Sequence, residues 1–102
     1  MFGFGQSQMK TIECPEARKM VAQGAQLVDV RSPAEYGQGA IPGSVNVPLQ
    51  AIHTAEQHLD KNKPVIVYCV SGMRSNQAEA MLTQMGFAAV HNLGSINKYI
   101  SC

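Results

Sequence analysis

An uninterrupted apolar run, PVIVY at Pro64–Tyr68, limits the folds open to this 102-residue chain more than any other segment does. The run is rich in β-branched residues and shows no polar alternation, which is typical of a central parallel strand covered on both faces. Parallel strands need long crossover connections, and these are usually helices that lie on the faces of the sheet. The run therefore predicts an α/β fold of three layers, with a mostly parallel central sheet and helices on both faces.

Strand-like and helix-like segments alternate on both sides of this run, as the predicted fold requires. Ser32, Pro33 and Glu35 form a capping-box pattern that opens a short helix. The other predicted helices are one from Pro15 to Gly24, one over Leu49–Leu59, one over Ser75–Met85 with Ala78, Met81, Leu82 and Met85 on its apolar face, and one over Ser95–Ile100. The other predicted strands are 11–13, 27–30, 45–47 and 88–93.

Composition indicates an ordinary globular protein, with 45% hydrophobic residues, 15% charged residues and a net charge of +1. The basic residues are scattered, and neither a nucleic-acid surface nor a membrane surface is expected. Residues 1–9 are expected to form a flexible N-terminal arm without a signal-peptide pattern, and residues 10–102 a single domain. Three widely spaced cysteines suggest reduced thiols and a cytoplasmic protein, and no spacing suggests a metal site.

The loop CVSGMRS, residues 69–75, follows the central strand, where ligands sit in open α/β sheets. Successive backbone N–H groups before a helix can converge on one point and bind an anion, and Gly72 permits the required positive φ. A Cys69 thiolate inside this ring should have a lowered pKa. Arg74 adds a fixed positive charge, and Ser75 can donate a hydrogen bond or cap the helix.

Each of these residues also has a purely structural interpretation. Cysteine is among the most often buried residues, and Cys69 alone would be read as packing at the end of a strand. Arg74 alone could be a solvated charge, and Ser75 an ordinary helix cap. Together with Gly72 at one strand-to-helix junction, they favour a reactive cysteine.

CVSGMRS resembles the active-site loop of the rhodanese family of sulfurtransferases, whose single-domain members often read C-x-x-G-x-R-S. Three further segments resemble family motifs in the same order, namely DVRSPAEY, AIPGSVNVP and GFAAVHNLGS. The resemblance runs from about residue 9 to residue 99. It implies a rhodanese-like three-layer fold, and it implies an enzyme without a metal or organic cofactor.

The resemblance also implies roles for individual residues. Cys69 would take a sulfane sulfur from a donor such as thiosulfate, hold it as a persulfide, and pass it to cyanide, to a small thiol or to a protein thiol. The backbone amides that would stabilise the terminal sulfur belong to Val70, Ser71, Gly72, Met73, Arg74 and Ser75. Arg74 would also bind the anionic donor. Asp29, Arg31 and Glu35 would support the fold, with an ion pair expected between Arg31 and Glu35. A monomer is expected.

The chain departs from the family pattern at Ala40, Ser95 and Tyr99, where histidine, glycine and tryptophan are usual. These departures lie outside the loop and bear on substrate preference. Val70 and Met73 make the loop less cationic than many family loops, which favours a neutral or protein-bound donor over thiosulfate.

Three alternatives to a sulfurtransferase fit parts of the pattern. A phosphatase or arsenate reductase of the same fold would use a C-x5-R loop, whereas this chain has a C-x4-R loop without an acidic residue. A cysteine hydrolase would need one of His53, His58 or His91 as its base, and none belongs to a Cys–His signature. A non-catalytic rhodanese-like binding module would commonly lack the loop cysteine.

Overall fold

A computed structural model describes residues 9–102 of the chain. The N-terminal arm predicted over residues 1–9 lies outside the described residues, apart from Met9. Four parallel strands form one sheet, in the spatial order Val45–Asn46, Gln26–Asp29, Val65–Cys69 and Val90–Ser95. The α/β fold with a parallel central sheet is therefore confirmed.

Helices and strands alternate along the described chain. They are α1 (Cys14–Ala22), β1 (Gln26–Asp29), α2 (Pro33–Gln38), β2 (Val45–Asn46), a 3-10 helix (Leu49–Gln57), β3 (Val65–Cys69), α3 (Met73–Gln84), β4 (Val90–Ser95) and α4 (Ile96–Ile100). No helix in this part of the chain is long and apolar enough to cross a membrane.

Strand β3 is the centre of the molecule, as its sequence predicts. All five of its residues are buried, and it pairs with β1 on one side and β4 on the other. Its side chains alternate between two cores. Val65, Val67 and Cys69 pack with residues of α3 and the 3-10 helix, whereas Ile66 and Tyr68 pack with residues of α1 and α4. The sheet is therefore covered on both faces, which is the predicted three-layer arrangement.

Two local predictions were wrong, and the helix predicted over Leu49–Leu59 is present as a 3-10 helix over Leu49–Gln57. Residues 11–13 form no strand, and Ile12 makes a single backbone hydrogen bond to Asn92 O at 2.9 Å. The segment from Leu49 folds as a 3-10 helix with a kink at Ala51. Met81 is exposed although it was predicted to lie on the buried face of α3, because that face follows Ser75, Ala78 and Leu82 instead.

The expectation of reduced thiols is wrong for two of the three cysteines. Cys14 and Cys102 form a disulfide, with their Cα atoms 6.1 Å apart, and Cys69 is the free cysteine of the described chain. Cys14 begins α1 in the core under α4, and Tyr99 of α4 packs beside it. The bond closes a loop of 88 residues, which sequence spacing could not reveal.

Removing this disulfide should destabilise the fold, because the bond limits the conformations of the unfolded chain. Cys102→Ser is expected to lower the free energy of unfolding by about 2–4 kcal/mol in non-reducing buffer. Urea denaturation followed by circular dichroism measures the loss. A reductant should lower the free energy of unfolding of the wild type and leave that of Cys102→Ser unchanged. Equal stability of wild type and variant without reductant would contradict the prediction.

Candidate active site

The thiol of Cys69 lies at the carboxyl end of β3, at the mouth of the loop that leads into α3. Its side chain has no exposed surface. The backbone N–H of Gly72 donates a hydrogen bond to Sγ at 3.0 Å, and the Ser75 Oγ lies 3.5 Å from Sγ. The loop therefore brings the Gly72 N–H and the Ser75 hydroxyl to the sulfur.

Gly72 gives the loop its curvature. Its φ is +95°, in the left-handed region that favours glycine, and it immediately precedes the first residue of α3. A methyl group at this position would also lie 3.3 Å from Gly94 Cα and 3.3 Å from Met9 Cε. The positive φ favours glycine, the close packing disfavours a larger residue, and the turn directs the N–H of Gly72 at the sulfur.

Ser75 lies inside α3 and does not cap it, because the helix begins two residues earlier, at Met73. Its hydroxyl is buried and donates to Gly72 O at 3.1 Å. The one hydroxyl proton can instead turn towards Cys69 Sγ when the sulfur is charged, since Sγ is also within reach. Ser75 can thus donate a hydrogen bond to the charged sulfur.

Burial raises the pKa of the Cys69 thiol, because a charged sulfur loses solvation. Hydrogen bonds from the Ser75 hydroxyl and from the backbone amides of Ser75, Gly72 and Arg74 act in the opposite direction. They outweigh burial, so the pKa lies below its ordinary value. The site therefore stabilises a thiolate, which is the reactive form of cysteine.

Arg74 makes a bidentate ion pair with Glu35, and the predicted pair between Arg31 and Glu35 is wrong. The two guanidinium–carboxylate distances are 2.7 and 3.1 Å. Glu35 also accepts from the backbone N–H of Ser32, which completes the predicted capping box of α2. The carboxylate therefore ties the first turn of α2 to the first turn of α3.

Arg31 is instead paired with Asp29 in the core behind the loop. Both side chains are buried, and Asp29 accepts from Arg31 Nε at 3.0 Å and from Nη2 at 2.7 Å. Arg31 also donates to Gly39 O at 2.6 Å. The pair braces the chain after β1 and makes no hydrogen bond to Cys69 Sγ, and its supporting role remains a prediction.

Two residues near the loop were missed by the sequence analysis. Asn92 is buried in β4, where its side-chain oxygen accepts from Gly94 N at 2.9 Å and its amide nitrogen lies 3.5 Å from Gly72 O. The signal for it was an amide side chain inside an apolar strand. Met9 contacts Gly72, and no sequence pattern links these distant positions.

The other residues singled out in the sequence lie on the loop, away from it, or at the start of α4. Val70, Ser71 and Met73 lie on the loop, with Val70 and Met73 exposed. His53, His58 and His91 make no hydrogen bond to Cys69 within residues 9–102, so none of the three is positioned as a base for its thiol in this structure. Ser95 caps α4 by accepting from Asn97 N at 3.1 Å, which gives the serine at this departure a local role. The described residues contain no cluster of side chains suited to a metal ion.

Comparison with known sequences identifies relatives over most of the chain. Residues 13–102 match the sequence model of the family described as the Rhodanese-like domain. A protein named sulfurtransferase from Allochromatium vinosum is 45% identical over 67 residues, which cover 66% of this chain and 63% of that protein. The thiosulfate sulfurtransferase PspE of Escherichia coli is 39% identical over 71 residues, which cover 68% of each chain.

Solved structures resemble the fold over nearly its whole length. The structure of a human single-domain sulfurtransferase superposes with a TM-score of 0.80 at 26% identity. The match covers 92% of this chain and 97% of the human one. The sheet, the two helical layers and the site loop thus belong to an architecture found in sulfurtransferases.

The ion pair between Glu35 and Arg74 should make the stability of the protein decrease as the pH falls through the acidic range. Hydrogen bonds from Arg74 and from Ser32 lower the pKa of Glu35 from 4.5 to about 2. A carboxyl group whose pKa falls on folding stabilises the protein above its unfolded pKa, and this stabilisation is lost as the pH falls from 4.5 towards 2. Glu35→Gln should therefore show a smaller decrease in melting temperature over this range than the wild type.

Glu16→Gln is a matched control, because Glu16 is exposed on α1 and makes no ion pair within residues 9–102. It should retain the wild-type dependence on pH. Melting curves by differential scanning calorimetry at intervals across the range test both variants. An identical decrease in wild type and Glu35→Gln would contradict the assignment.

Proposed function

Because the chain belongs to the Rhodanese-like domain family, we propose that it is a sulfurtransferase that carries sulfane sulfur on Cys69 as a persulfide. The observation that carries this proposal is the 3.0 Å hydrogen bond from Gly72 N–H to a buried Cys69 Sγ whose pKa is lowered. A thiolate with this environment is an activated nucleophile that needs no separate base. The names of the sulfurtransferase relatives support the same reaction.

In the first step, the Cys69 thiolate attacks the sulfane sulfur of thiosulfate. A bond forms between Sγ and that sulfur, and the sulfur–sulfur bond of the donor breaks with its electron pair leaving on sulfite. The enzyme then carries a persulfide anion. We expect the loop amides that stabilise the thiolate to donate hydrogen bonds to this anion as well.

In the second step, a nucleophilic acceptor removes the outer sulfur and restores the thiolate. With cyanide the product is thiocyanate, and with a thiol it is a new persulfide. The sulfur is carried by the enzyme itself, so the cycle is a double displacement. Small molecules or a protein thiol can serve as acceptors by this chemistry.

The phosphatase and arsenate reductase alternative receives less support from the site. Those reactions need a general acid near the cysteine, and the loop of residues 69–75 contains no acidic residue. Glu35, the carboxylate bound to Arg74, has a pKa of about 2 and so holds no proton near neutral pH. A non-catalytic binding module has no need of a stabilised thiolate, so the binding-module alternative does not account for the hydrogen bonds to Cys69.

Arg74 has two roles in this proposal. Its bidentate contact with Glu35 fixes the start of α3, and thus the loop amides. The guanidinium has five N–H groups, of which the Glu35 carboxylate takes two, and its side chain is partly exposed. The remaining donors can bind the anionic end of a sulfur donor.

The broader expectations remain part of the proposal. We propose that residues 10–102 form one domain, which the family match over residues 13–102 supports, and that the protein is a monomer. The cytoplasmic location predicted from the sequence remains a prediction. The disulfide between Cys14 and Cys102 weighs against it, because disulfides persist mainly in oxidising compartments.

Intact mass spectrometry tests the persulfide. Wild-type protein treated with thiosulfate should gain the mass of one sulfur, and cyanide should remove it with release of thiocyanate. Cys69→Ser should gain none and should lose at least about a thousandfold of the transfer rate. Its unchanged circular dichroism spectrum would show that the fold is intact, since the loop glycine and amides remain.

Two outcomes would contradict the proposal. Thiocyanate production by Cys69→Ser at the wild-type rate would place the reaction elsewhere. Absence of any sulfur gain with thiosulfate and with organic thiosulfonates, together with hydrolysis of a phosphate ester, would favour the phosphatase alternative.

Arg74→Ala tests anion binding separately from positioning. We expect kcat/KM for thiosulfate, a dianion, to fall about tenfold or more. The loss for methanethiosulfonate, a monoanion, should be smaller because less charge is bound. Steady-state kinetics with both donors measure this, with Arg74→Lys as the variant that keeps the charge. Equal losses for the two donors would mean that Arg74 only positions the loop.

A further inference from the structure

The carbonyl oxygen of Gly72 has more hydrogen-bond donors around it than it can bind at short distance. The backbone N–H of Asn76 donates to it at 2.9 Å, and the Ser75 hydroxyl donates at 3.1 Å. The side-chain amide nitrogen of Asn92 lies 3.5 Å away. A carbonyl oxygen has two lone pairs, and the two shorter bonds occupy both. The amide of Asn92 is therefore at the outer limit of hydrogen-bonding distance.

The Ser75 hydroxyl has the opposite imbalance, because it carries one proton and has two acceptors. Its oxygen lies 3.1 Å from Gly72 O and 3.5 Å from Cys69 Sγ. A thiolate is a charged acceptor and forms a stronger hydrogen bond than a neutral carbonyl does. Ionisation of Cys69 therefore favours rotation of the hydroxyl towards Sγ, and this rotation removes one of the two short bonds to Gly72 O.

Strand β4 directs the side chain of Asn92 at this carbonyl. The register of β4 against β3 shifts between Asn92 and Gly94, and such irregularities redirect side chains beside active sites. The side-chain oxygen of Asn92 accepts from Gly94 N–H at 2.9 Å. Because the amide oxygen cannot donate, this bond fixes the orientation of the amide and turns its nitrogen towards Gly72 O.

Burial makes the pairing of these groups important. The side chain of Asn92 is 1% exposed, and Gly72 is buried. Within residues 9–102, Gly72 O is the one hydrogen-bond acceptor of the Asn92 amide nitrogen. A buried polar group that loses a partner is unfavourable, because the protein and not the solvent must supply the replacement. Asn92 is the donor already in place when the hydroxyl turns away.

We propose that Asn92 is a positioning residue that takes over the carbonyl oxygen of Gly72 when the Ser75 hydroxyl turns to a charged Cys69 sulfur. Asn92 makes no hydrogen bond to Sγ and acts through Ser75. The proposal rests on the proposed sulfurtransferase function, in which the thiolate attacks the sulfur donor, and it adds a residue outside the loop to that function. Without the amide of Asn92, the thiolate is less stable and the pKa of Cys69 should rise.

Asn92→Ser tests this role with little change to the strand. It removes the donor to Gly72 O, and it keeps a hydroxyl oxygen that can accept from the N–H of Gly94 two residues later. At a pH below the titration midpoint of the thiol, Asn92→Ser should contain about three- to tenfold less thiolate than the wild type. Asn92→Ala, which has no polar side-chain atom, should show the same decrease.

The ultraviolet absorbance of the thiolate, measured across a pH titration, gives this fraction directly. The signal comes from Cys69 alone, because Cys14 and Cys102 are bonded to each other and the chain has three cysteines. A parallel titration of Cys69→Ser supplies the background to subtract. Circular dichroism checks that each variant is folded.

Ser75→Ala distinguishes a role through the hydroxyl from general support of the loop. Alone, it should lower the thiolate fraction at least as much as Asn92→Ser does, because the hydroxyl donor to the sulfur is absent. Adding Asn92→Ser to Ser75→Ala should lower the fraction no further, since no hydroxyl remains to exchange. Two independent effects would multiply instead.

Asn46→Ser is the matched control. The Asn46 amide also donates to backbone carbonyl oxygens, those of Asp29 at 2.9 Å and Arg31 at 3.0 Å. Within the described chain it makes no hydrogen bond to residues 69–75. Asn46→Ser should keep the wild-type thiolate fraction. Both asparagine substitutions are neutral, so they leave the charges of the two ion pairs around the site in place.

Turnover supplies a second measurement. The acidic limb of the pH profile of kcat/KM for thiosulfate should move to higher pH in Asn92→Ser and should stay at the wild-type position in Asn46→Ser. A general loss of activity would lower the whole profile without moving this limb.

The outcomes separate the role of Asn92 from the proposed function. Equal thiolate fractions in wild type and Asn92→Ser would overturn the role and leave the sulfurtransferase intact. A multiplied loss in the double variant would also overturn it, because Asn92 would then act independently of Ser75. Failure of Cys69 to gain sulfur from any donor would overturn the proposed function, and the thiolate titration would still test the exchange at Gly72 O.

Discussion

The left-handed turn at Gly72 is the constraint on which the site depends. Its positive φ turns the chain from β3 into α3 within three residues and directs the Gly72 N–H at the sulfur of Cys69. A Cβ at this position would lie 3.3 Å from Gly94 Cα and 3.3 Å from Met9 Cε, so these neighbours would have to shift slightly. One residue without a Cβ thus allows the close approach of the loop, β4 and the N-terminal segment. Lowering of the thiol pKa follows from that packing.

Electrostatics around the loop are divided between two ion pairs with different tasks. Asp29 and Arg31 are buried and hold the chain after β1, whereas Glu35 and Arg74 are partly exposed and join two helix starts. The division leaves the sulfur surrounded by neutral hydrogen-bond donors, with one compensated cation beside it. A thiolate is stabilised there mainly by directed N–H and O–H groups, and this stabilisation is retained at higher salt better than that from exposed charges.

Local sequence signals predicted most of the fold and the core of the site. The apolar run predicted the central strand, and the pattern of Ser32 and Glu35 predicted a capping box. Gly72 predicted a left-handed turn. Each of these local structures is determined by residues that are neighbours in sequence. The partner of Glu35 was not predictable in this way. From the sequence, Glu35 could pair with either Arg31 or Arg74. Only the distances in the folded chain show that Arg31 pairs with Asp29 and that Arg74 pairs with Glu35.

Contacts between the ends of the chain were the least predictable part, because no local pattern encodes them. Met9 lies against Gly72 and Cys14 is bonded to Cys102, although neither pair is close in sequence. Tyr99 links α4 to α1, since Arg18 stacks 4.1 Å from its ring centre and donates to its carbonyl oxygen at 2.8 Å. The disulfide holds α4 against α1, and β4 carries Asn92 and Gly94 beside the loop. A bond far from the sulfur in sequence thus supports the wall against which the active-site turn packs.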